Sequence, residues 1–488
     1  MMRSLRPCPS YSEHSSVTAN SDPAPGWGAQ TEMNHLEATI WRAEIDPRLR
    51  SGGVVLEVLD QVPDWDRVVR AHEWATHVAP RLRYRVVDDP LHVGPPIWVP
   101  TDLDLGYHLS RVSLPADDGI DGVLDIAALL HMCPFDPARP LWQAVLVDGL
   151  AGGKGAYLLK FHHSMADGQG TVQLFDLLHS TRRGPTPDKP TPPLAPSENV
   201  RPAGLAVRRV RTAILHAPRD MTRMTAGILS RGGQVVSLPE TLQSVVGYAQ
   251  SLARVAAPQA GRPSPLFRHR GMSRRLRTIE IPLSALKRSG QVAGGTINDA
   301  YLAGLLGGLG RYHRWHGIEA ADIPTALPVS LRSPDHPIGG NRFAAAMIAG
   351  PAGESDPSLR IKLVHQRVTR AREEPALDLV GVAAPIASRL PSALLARLAM
   401  RMSSGIDLQA SNISGLDRPA HLAGARITAT YVFGPVPGCA IMATLFSQEG
   451  MCYVGIATDN DAVPDPDRLV ADLKDGFSEV SSLAESAP

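Results

Sequence analysis

The chain of 488 residues is longer than one hydrophobic core usually serves, so we expect two domains. Hydrophobic residues make up 43% and charged residues 20% of the sequence, which excludes a mainly disordered protein. The formal net charge of +1 and the aromatic content of 5% argue against a nucleic-acid-binding protein.

The first half of the chain becomes regular only after its N-terminal segment. Residues 1–36 are rich in serine and proline and lack the apolar region of a signal peptide, so we predict a disordered leader. Hydrophobic patterns then predict strands at 54–60, 107–115, 142–150 and 156–161, and helices at 63–80, 122–132 and 171–180. We assign these elements to a first αβ half, residues 37–183.

A proline-rich linker follows the first half. Residues 181–203 contain seven prolines and almost no large apolar side chains, a composition typical of linkers. The stretch 201–231 then has seven arginines against one acid, Asp220, interleaved with apolar residues. This pattern fits either a helix that rests on anionic lipid or a solvated crossover helix packed by its apolar face. We assign residues 184–272 to this linker and its crossover helices.

The second half, residues 273–484, again mixes strands and helices. It restarts with RRLRTIEIPLSALKRS at 274–289, followed by a Gly- and Ala-rich helix at 296–315 that Asn298 or Asp299 can cap. Strands are predicted at 323–329, 342–350 and 425–434, with a hairpin at 439–459. Neither half contains a Walker, GxGxxG or GxSxG motif, which argues against nucleotide hydrolysis, dinucleotide redox chemistry and serine-hydrolase chemistry.

The motif HHSMADG, residues 162–168, lies between a predicted strand and a predicted helix. A neutral imidazole can take a proton from an alcohol and return it to a leaving group. Because side chains alternate along a strand, His162 and His163 should point in opposite directions, which leaves one base and one structural histidine. Asp167 can hold the bend in shape, and Gly168 permits a tight turn.

Two other interpretations use the same residues. Two histidines and a carboxylate can bind a metal ion, but adjacent strand histidines are poorly placed to chelate one ion, and HExxH spacing is absent. We therefore expect no metal. A buried histidine pair with a turn aspartate and no chemical role stays open on the motif alone.

Several further motifs occur in order along the chain. They are RPLW (139–142), GTINDAYLA (295–303), LPVSLR (327–332), GNRFAAAMIAGP (340–351) and DNDAVPDPDRLVADL (459–473). With HHSMADG, they make most of the sequence resemble the wax ester synthase/acyl-CoA:diacylglycerol acyltransferase family, especially its actinobacterial members.

This resemblance implies an α/β (mixed α+β) fold with two chloramphenicol-acetyltransferase-like halves and an active-site tunnel between them. It implies transfer of a long-chain acyl group from acyl-CoA, a substrate, to diacylglycerol or a fatty alcohol, with no cofactor. His163 corresponds to the family's general base, and His162, Asp167 and Gly168 to the architecture of its motif. Acyl transfer to another hydroxyl acceptor, such as a polyketide or glycolipid, and a catalytically idle acyl-CoA-binding protein remain open as rival functions.

The resemblance also implies supporting residues. Asn298 and Asp299 match the family's ND motif, which helps to build the active-site region, and Trp142 belongs to the PLW motif, which lines the acyl passage or packs in the core. Arg332 can pair with an acid or a phosphate. The stretch 411–419, SNISGLDRP, departs from the family's NVPGP pattern, and an altered turn there can reshape acceptor specificity without affecting the base.

The sequence also bears on location. Four separated cysteines without a CxxC pair fit a reducing cytosol, and no apolar run reaches the roughly 18 residues that a membrane-spanning helix needs. We expect a cytoplasmic protein, with peripheral contact to an anionic membrane or a lipid droplet as a further interpretation of the basic segment.

Overall fold

The computed structural model describes residues 26–115, 118–212, 214, 263–320, 322–331, 338–373 and 380–485. The helices are α1 His35–Ala43, α2 Trp65–Val78, α3 Leu105–His108, α4 Ile120–Met132, α5 Gly168–Leu178, α6 Leu283–Val292, α7 Ile297–Trp315, α8 Pro357–Arg372, α9 Val380–Ala387, α10 Ser392–Ser403 and α11 Pro466–Glu485, with a further helical stretch at 202–212. The strands are β1 Gly52–Leu59, β2 Tyr84–Val87, β3 Ile97–Pro100, β4 Leu109–Ser113, β5 Trp142–Asp148, β6 Gly155–His162, β7 Arg274–Pro282, β8 Ile323–Ser330, β9 Phe343–Gly350, β10 Leu408–Ser414, β11 His421–Leu422, β12 Ala425–Phe433, β13 Ile441–Gln448 and β14 Met451–Asp459.

Two six-stranded sheets organise the molecule. Their strand orders are β11-β12-β1-β6-β5-β4 and β7-β14-β13-β10-β8-β9. The central strand β1 is apolar apart from Glu57 and almost entirely buried. The edge strand β7 alternates buried and exposed residues, because one of its faces meets solvent. The strands and helices predicted from hydrophobic patterns are present at most of the expected places, so the expected mixture of helices and strands is confirmed.

The first sheet includes two strands from the second half of the chain. β12, from the second half of the chain, pairs antiparallel with β1 in register Val54 to Phe433, and β11 extends the same sheet. The division into contiguous halves at 37–183 and 273–484 is therefore incomplete, because residues 421–433 belong structurally to the first sheet. Apolar residues of β1 and α4 also share one core with residues of β7, β13 and β14, so the sheets are held together by a common interior.

The Gly- and Ala-rich helix α7 is the most deeply buried helix of the second half. Its small residues allow close packing against α11: a Cβ atom added to Gly304 would lie 2.3 Å from the ring of Phe477. The predicted N-cap is wrong in detail. The N-cap is Thr296, and Asp299, the third residue of the helix, completes a capping box with it. Asn298 does not cap the helix.

The end of the predicted leader is ordered. Trp27 is 2% exposed, and its indole Nε1–H donates to Gly170 O at 2.9 Å; Gly28 N donates to Ile338 O. The prediction of a disordered leader is therefore wrong for residues 26–36, because a buried aromatic ring anchors this segment to both halves of the chain. Residues 1–25 lie outside the described residues.

The described parts of the predicted linker also pack. Trp74 Nε1–H donates to Pro190 O at 3.0 Å, Leu205 is buried against β2 and β3, and Phe267 is 1% exposed in the core of the second half. In the first turns of the basic segment Leu205 is packed, whereas Val207 is 69% exposed, so both arrangements that the sequence left open stay predictions. Residues 215–262, with the other three arginines of that segment, lie outside the described residues.

Candidate active site

A cavity of about 450 Å³ lies between the two sheets. Its walls come from β1, β6 and β12 of the first sheet, from β8, β9, β10 and β13 of the second, and from the first turns of α5. This volume falls within the range of small-molecule sites. The cavity occupies the place between the halves where the resemblance implied a tunnel, and HHSMADG borders it.

His163 lies on the cavity wall directly after the end of β6. Its backbone N–H donates to Ser51 O at 2.8 Å, which fixes the chain at this point. The imidazole Nδ1 is 2.9 Å from Asn341 Oδ1, and the Nε2 atom has no hydrogen-bond partner among the residues that the structure describes. One ring nitrogen is therefore held by the protein and the other is left for a ligand.

Burial lowers the pKa of His163 below its usual value, although the carboxylate of Asp167 and the hydrogen bond to Asn341 act in the opposite direction. The shift favours the neutral form of the imidazole. A neutral imidazole on a cavity wall can accept a proton, which is the property that general base catalysis requires.

His162 points the other way and is completely buried. Its Nδ1 accepts from the backbone N–H of Ser164 at 3.1 Å, so this nitrogen carries no proton, and its Nε2–H donates to Glu44 Oε1 at 2.8 Å. Burial would raise the pKa of Glu44, but His162 and the N–H of Ser51 together lower it. Both nitrogens of His162 are thus occupied, and the opposite orientation of the two histidines agrees with the predicted alternation.

Asp167 joins the motif to the second half of the chain. It is the N-cap of α5, and its Oδ1 accepts from Gly170 N at 2.8 Å. Its Oδ2 accepts from the backbone N–H of Arg342 at 2.9 Å, and its own N–H donates to Gly340 O at 3.3 Å. The carboxylate therefore fixes both the start of α5 and the segment 340–342 that approaches it.

Gly168 lies where α5 approaches the second half closely, a role other than the tight turn that the sequence predicted. It is the first residue of α5 and does not adopt the left-handed conformation. A Cβ atom at this position would lie 3.0 Å from the side chain of Ile413 in β10. The missing side chain thus lets α5 approach the second half closely, and no unusual turn is involved.

Three of the predicted support residues, Trp142, Asn298 and Asp299, do not line the cavity. Trp142 is 1% exposed, stacks on His108 at 4.6 Å and donates from Nε1 to Leu82 O at 2.8 Å, so it is a core residue. Asp299 is 2% exposed and accepts from Thr296 N and from His365 Nδ1, each at 2.8 Å. Asn298 reaches the cavity only indirectly, through a 3.5 Å contact with Asn412. Arg332 lies outside the described residues.

Sequence reasoning missed the contacts of Asn341 and Glu37 and the strand β10. Asn341, within the quoted GNRF stretch, contacts His163 directly, and the buried Glu37 on α1 accepts from Asn341 N at 2.8 Å. Burial raises the pKa of Glu37 against the opposing charge of Arg81. The divergent residues of β10, Ser411 to Ser414, line the cavity as well. The altered motif at 411–419 indicated that this stretch affects acceptor specificity, but strand β10 was not predicted.

Within the described ranges, no three His, Cys, Asp or Glu side chains are grouped closely enough to hold a metal ion. The histidine pair itself cannot chelate one ion, because His162 and His163 point to opposite sides of the chain.

Comparison with known proteins gives the same assignment for both halves of the chain. Residues 28–301 match the wax ester synthase/diacylglycerol acyltransferase catalytic domain, and residues 339–481 match the C-terminal domain of the same family. A putative diacylglycerol O-acyltransferase of Mycobacterium tuberculosis H37Rv is 37% identical over 455 residues, covering 93% of this chain and 92% of the relative. The chain belongs to the wax ester synthase/diacylglycerol acyltransferase family.

Solved structures resemble this acyltransferase in fold. The wax ester synthase/diacylglycerol acyltransferase of Marinobacter aquaeolei VT8 has a TM-score of 0.62 at 19% identity and covers 93% of this chain and 100% of that one. The first condensation domain of the calcium-dependent antibiotic synthetase has a TM-score of 0.58 at 17% identity, with coverage of 94% and 97%. The two-halved fold that the resemblance implied is thereby confirmed, as are the family and the acyltransferase class.

Proposed function

We propose that this acyltransferase moves a long-chain acyl group from acyl-CoA to the hydroxyl of diacylglycerol or a fatty alcohol, with His163 as the general base. The observation that carries the proposal is the position of His163 on the wall of the cavity between the halves, where its Nε2 has no partner among the described residues. Burial favours the neutral imidazole that a base requires. Diacylglycerol is supported as acceptor by relatives named as putative or probable diacylglycerol O-acyltransferases, at 37% and 27% identity.

The proposed reaction needs one proton carrier and no acyl-enzyme. His163 takes the proton of the acceptor hydroxyl while its oxygen attacks the thioester carbonyl carbon. The tetrahedral intermediate then collapses, the carbon–sulfur bond breaks, and the imidazolium returns the proton to the leaving thiolate of coenzyme A. Ser164 takes no part, because it is buried and its hydroxyl contacts His162 at 2.7 Å. The proposal includes no metal and no cofactor.

The cavity wall offers groups suited to both ends of such a substrate. Apolar side chains from both sheets, including Val55, Phe161 and Met442, can contact an acyl chain. Thr444, on β13, is 1% exposed, and its hydroxyl has no hydrogen-bond partner in the described part of the chain. A buried hydroxyl without a partner is costly unless a ligand satisfies it, so we assign Thr444 to hydrogen bonding with a substrate oxygen.

The test is an acceptor panel with purified protein. Long-chain acyl-CoA is supplied with diacylglycerol, hexadecanol, or a glycolipid or polyketide alcohol, and the release of coenzyme A is measured. His163→Ala should reduce the rate about 10²–10⁴-fold, the range that a general base contributes. His269→Ala, which removes an exposed histidine away from the cavity, is the matched control and should keep the wild-type rate.

Each other outcome has a definite meaning. Equal rates for wild type and His163→Ala would refute the base assignment. Turnover with only the glycolipid or polyketide alcohol would show that the acceptor is neither diacylglycerol nor a fatty alcohol. The divergent β10 residues on the cavity wall would then contribute to this acceptor specificity. Tight binding of acyl-CoA without turnover of any acceptor would identify an idle lipid-binding protein.

We further propose that the enzyme meets its lipid acceptor at an anionic membrane or lipid-droplet surface. No described helix is long and apolar enough to cross a bilayer. In the helical stretch 202–212, Arg209 is paired with Glu32, but Arg208 and Arg211 are exposed beside Val207, which is 69% exposed. Flotation with anionic liposomes should recover the protein, and Arg208→Ala/Arg211→Ala or high salt should reduce recovery. Equal recovery of wild type and variant would exclude this segment as the contact.

A further inference from the structure

Asn341 holds the base through both ends of its side chain. Its Oδ1 is 2.9 Å from His163 Nδ1, and its Nδ2 donates to the backbone oxygen of the same histidine at 2.6 Å. Asn341 is 2% exposed and lies 178 residues further along the chain, in the second half. The two halves therefore meet in a reciprocal contact at the residue proposed to do the chemistry.

This pair of contacts determines where the proton of His163 lies. A carbonyl oxygen can only accept, so the amide nitrogen of Asn341 must face His163 O, and the amide oxygen must face Nδ1. An amide oxygen is likewise only an acceptor, so Nδ1 must carry the hydrogen. In the neutral ring, Nε2 then has the free lone pair, and it is the nitrogen without a described partner.

Asn341 is itself held rigidly by α1. Its N–H donates to Glu37 Oε1 at 2.8 Å, and its O accepts from Asn34 Nδ2 at 2.9 Å. The preceding Gly340 has φ of +71°, and a Cβ atom there would lie 2.9 Å from Glu37 Oε1. Both the left-handed backbone and the nearby carboxylate thus favour glycine before Asn341. The side-chain amide of Asn341 and its backbone N–H and C=O all form hydrogen bonds, with Glu37, Asn34 or His163 as partners.

We propose that Asn341 is a positioning residue that keeps the proton of His163 on Nδ1, reserves Nε2 as the base, and makes a competent base dependent on the second half. The proposal rests on the proposed function in one respect, the identity of His163 as the base. It goes beyond that function because the tautomer is set from outside the HHSMADG motif. His162, by contrast, has both nitrogens bound by groups of the first half.

The pKa of His163 depends on its contact with Asn341 and can therefore be used to test that contact. The groups that act on its pKa are Asp167 on α5, the amide of Asn341 and the backbone of His163 itself, which raise it, and His162 on the same segment, which lowers it. Arg342 also lines the cavity, next to Asn341. An exchange at position 341 alone leaves the other three side chains unchanged.

The first experiment compares Asn341→Asp with Asn341→Ala in the full-length protein. Both variants lose the bond to His163 O, so that cost is common to them. The carboxylate of Asn341→Asp still accepts from Nδ1–H and adds a negative charge, so the acidic limb of the kcat/KM profile should move to higher pH. Asn341→Ala removes the acceptor, so its limb should move to lower pH and its kcat should fall tenfold or more. Asn460→Asp, the same exchange at an exposed surface site, should leave kcat and the limb unchanged.

The second experiment does not depend on activity. In protein labelled with ¹⁵N-histidine, the ring signals of His163 are assigned by their loss in His163→Gln. Wild type should show a protonated Nδ1 and an unprotonated Nε2, and Asn341→Ala should show a mixture of both tautomers. If Asn341→Ala does not fold, the wild-type spectrum and the Asn341→Asp profile decide.

A wild-type ring protonated on Nε2, or limbs that move in the same direction in both variants, would overturn the proposal. Failure of the proposed function looks different. In that case the Nδ1-protonated ring and its dependence on Asn341 persist in the spectra, although His163→Ala leaves the release of coenzyme A unchanged.

Discussion

The N-termini of α5 and α7 are built from the same local chemistry but serve different parts of the molecule. Asp167 caps α5, and Asp299 completes the capping box of α7; their side chains are 7% and 2% exposed. The remaining capacity of each carboxylate is used differently. Asp167 accepts from Arg342 N across the boundary between the halves, whereas Asp299 accepts from His365 on the neighbouring helix α8.

This difference shows that a capping residue acquires a role in the site through its distant partner. Asp167 Oδ2 fixes the segment that also delivers Asn341 to His163, while the contacts of Asp299 stay within the second half and away from the cavity wall. We therefore expect a substitution at Asp167 to change catalysis and stability together, and one at the start of α7 to change stability alone.

Removal of the carboxylate at α5 should have the largest effect. Asp167→Ala loses the helix cap and the buried bond to Arg342 N, which together should lower the free energy of unfolding by about 2–4 kcal/mol. Because the segment at 340–342 also positions Asn341, kcat/KM should fall tenfold or more. Urea unfolding and steady-state release of coenzyme A measure the two quantities.

Asp299→Ala is the matched control for this substitution. It should destabilise the protein by a comparable amount but leave kcat unchanged at temperatures where the variant is folded. Equal losses of kcat in the two variants would show that the comparison between the helices is wrong.

Replacing each aspartate with asparagine removes its charge and should distinguish the two helices by the effect on the pKa of His163. Activity requires an unprotonated His163, so kcat/KM should fall as the pH drops through its pKa, which burial places below the usual value. The charge of Asp167 raises that pKa, so Asp167→Asn should lower it further and move the acidic limb to lower pH. Asp299→Asn should leave the limb in place. A limb that moves upward in Asp167→Asn would contradict this account of the electrostatics.

Local pattern was enough to predict much of the fold and part of the site. The strand before HHSMADG, the helix after it and the opposite orientation of His162 and His163 follow from the alternation of side chains along an extended chain. The resemblance supplied the family and the fold. The roles of His163 and of the motif residues remain predictions that the experiments above are designed to test.

The remainder depended on contacts between residues far apart in sequence. Asn341 meets His163 across 178 residues, and Trp27 meets Gly170 across 143, so neither contact leaves a periodic signal in its own segment. The insertion of β12 beside β1 is of the same kind. The assignment of the α7 N-cap to Asn298 or Asp299 failed for a different reason. Thr296 precedes both residues and is also a good N-cap, and Asp299, the third residue of the helix, completes a capping box with it.

The smallest expected effect belongs to the cap of α7 itself. Thr296→Ala removes the hydroxyl that accepts from Asp299 N at 3.3 Å and donates to Asp299 Oδ2 at 2.8 Å, but the bond from Thr296 N to the same carboxylate remains. The loss in the free energy of unfolding should therefore be about 1 kcal/mol, typical of a lost cap, and kcat should not change. Urea unfolding and acceptor turnover on the same preparation provide both values. A fall in kcat without a matching loss of folded protein would mean that the start of α7 contributes to the active site. The distant hydrogen-bond partners of Asp167 and Asp299 would then not be enough to explain the different roles of the two caps.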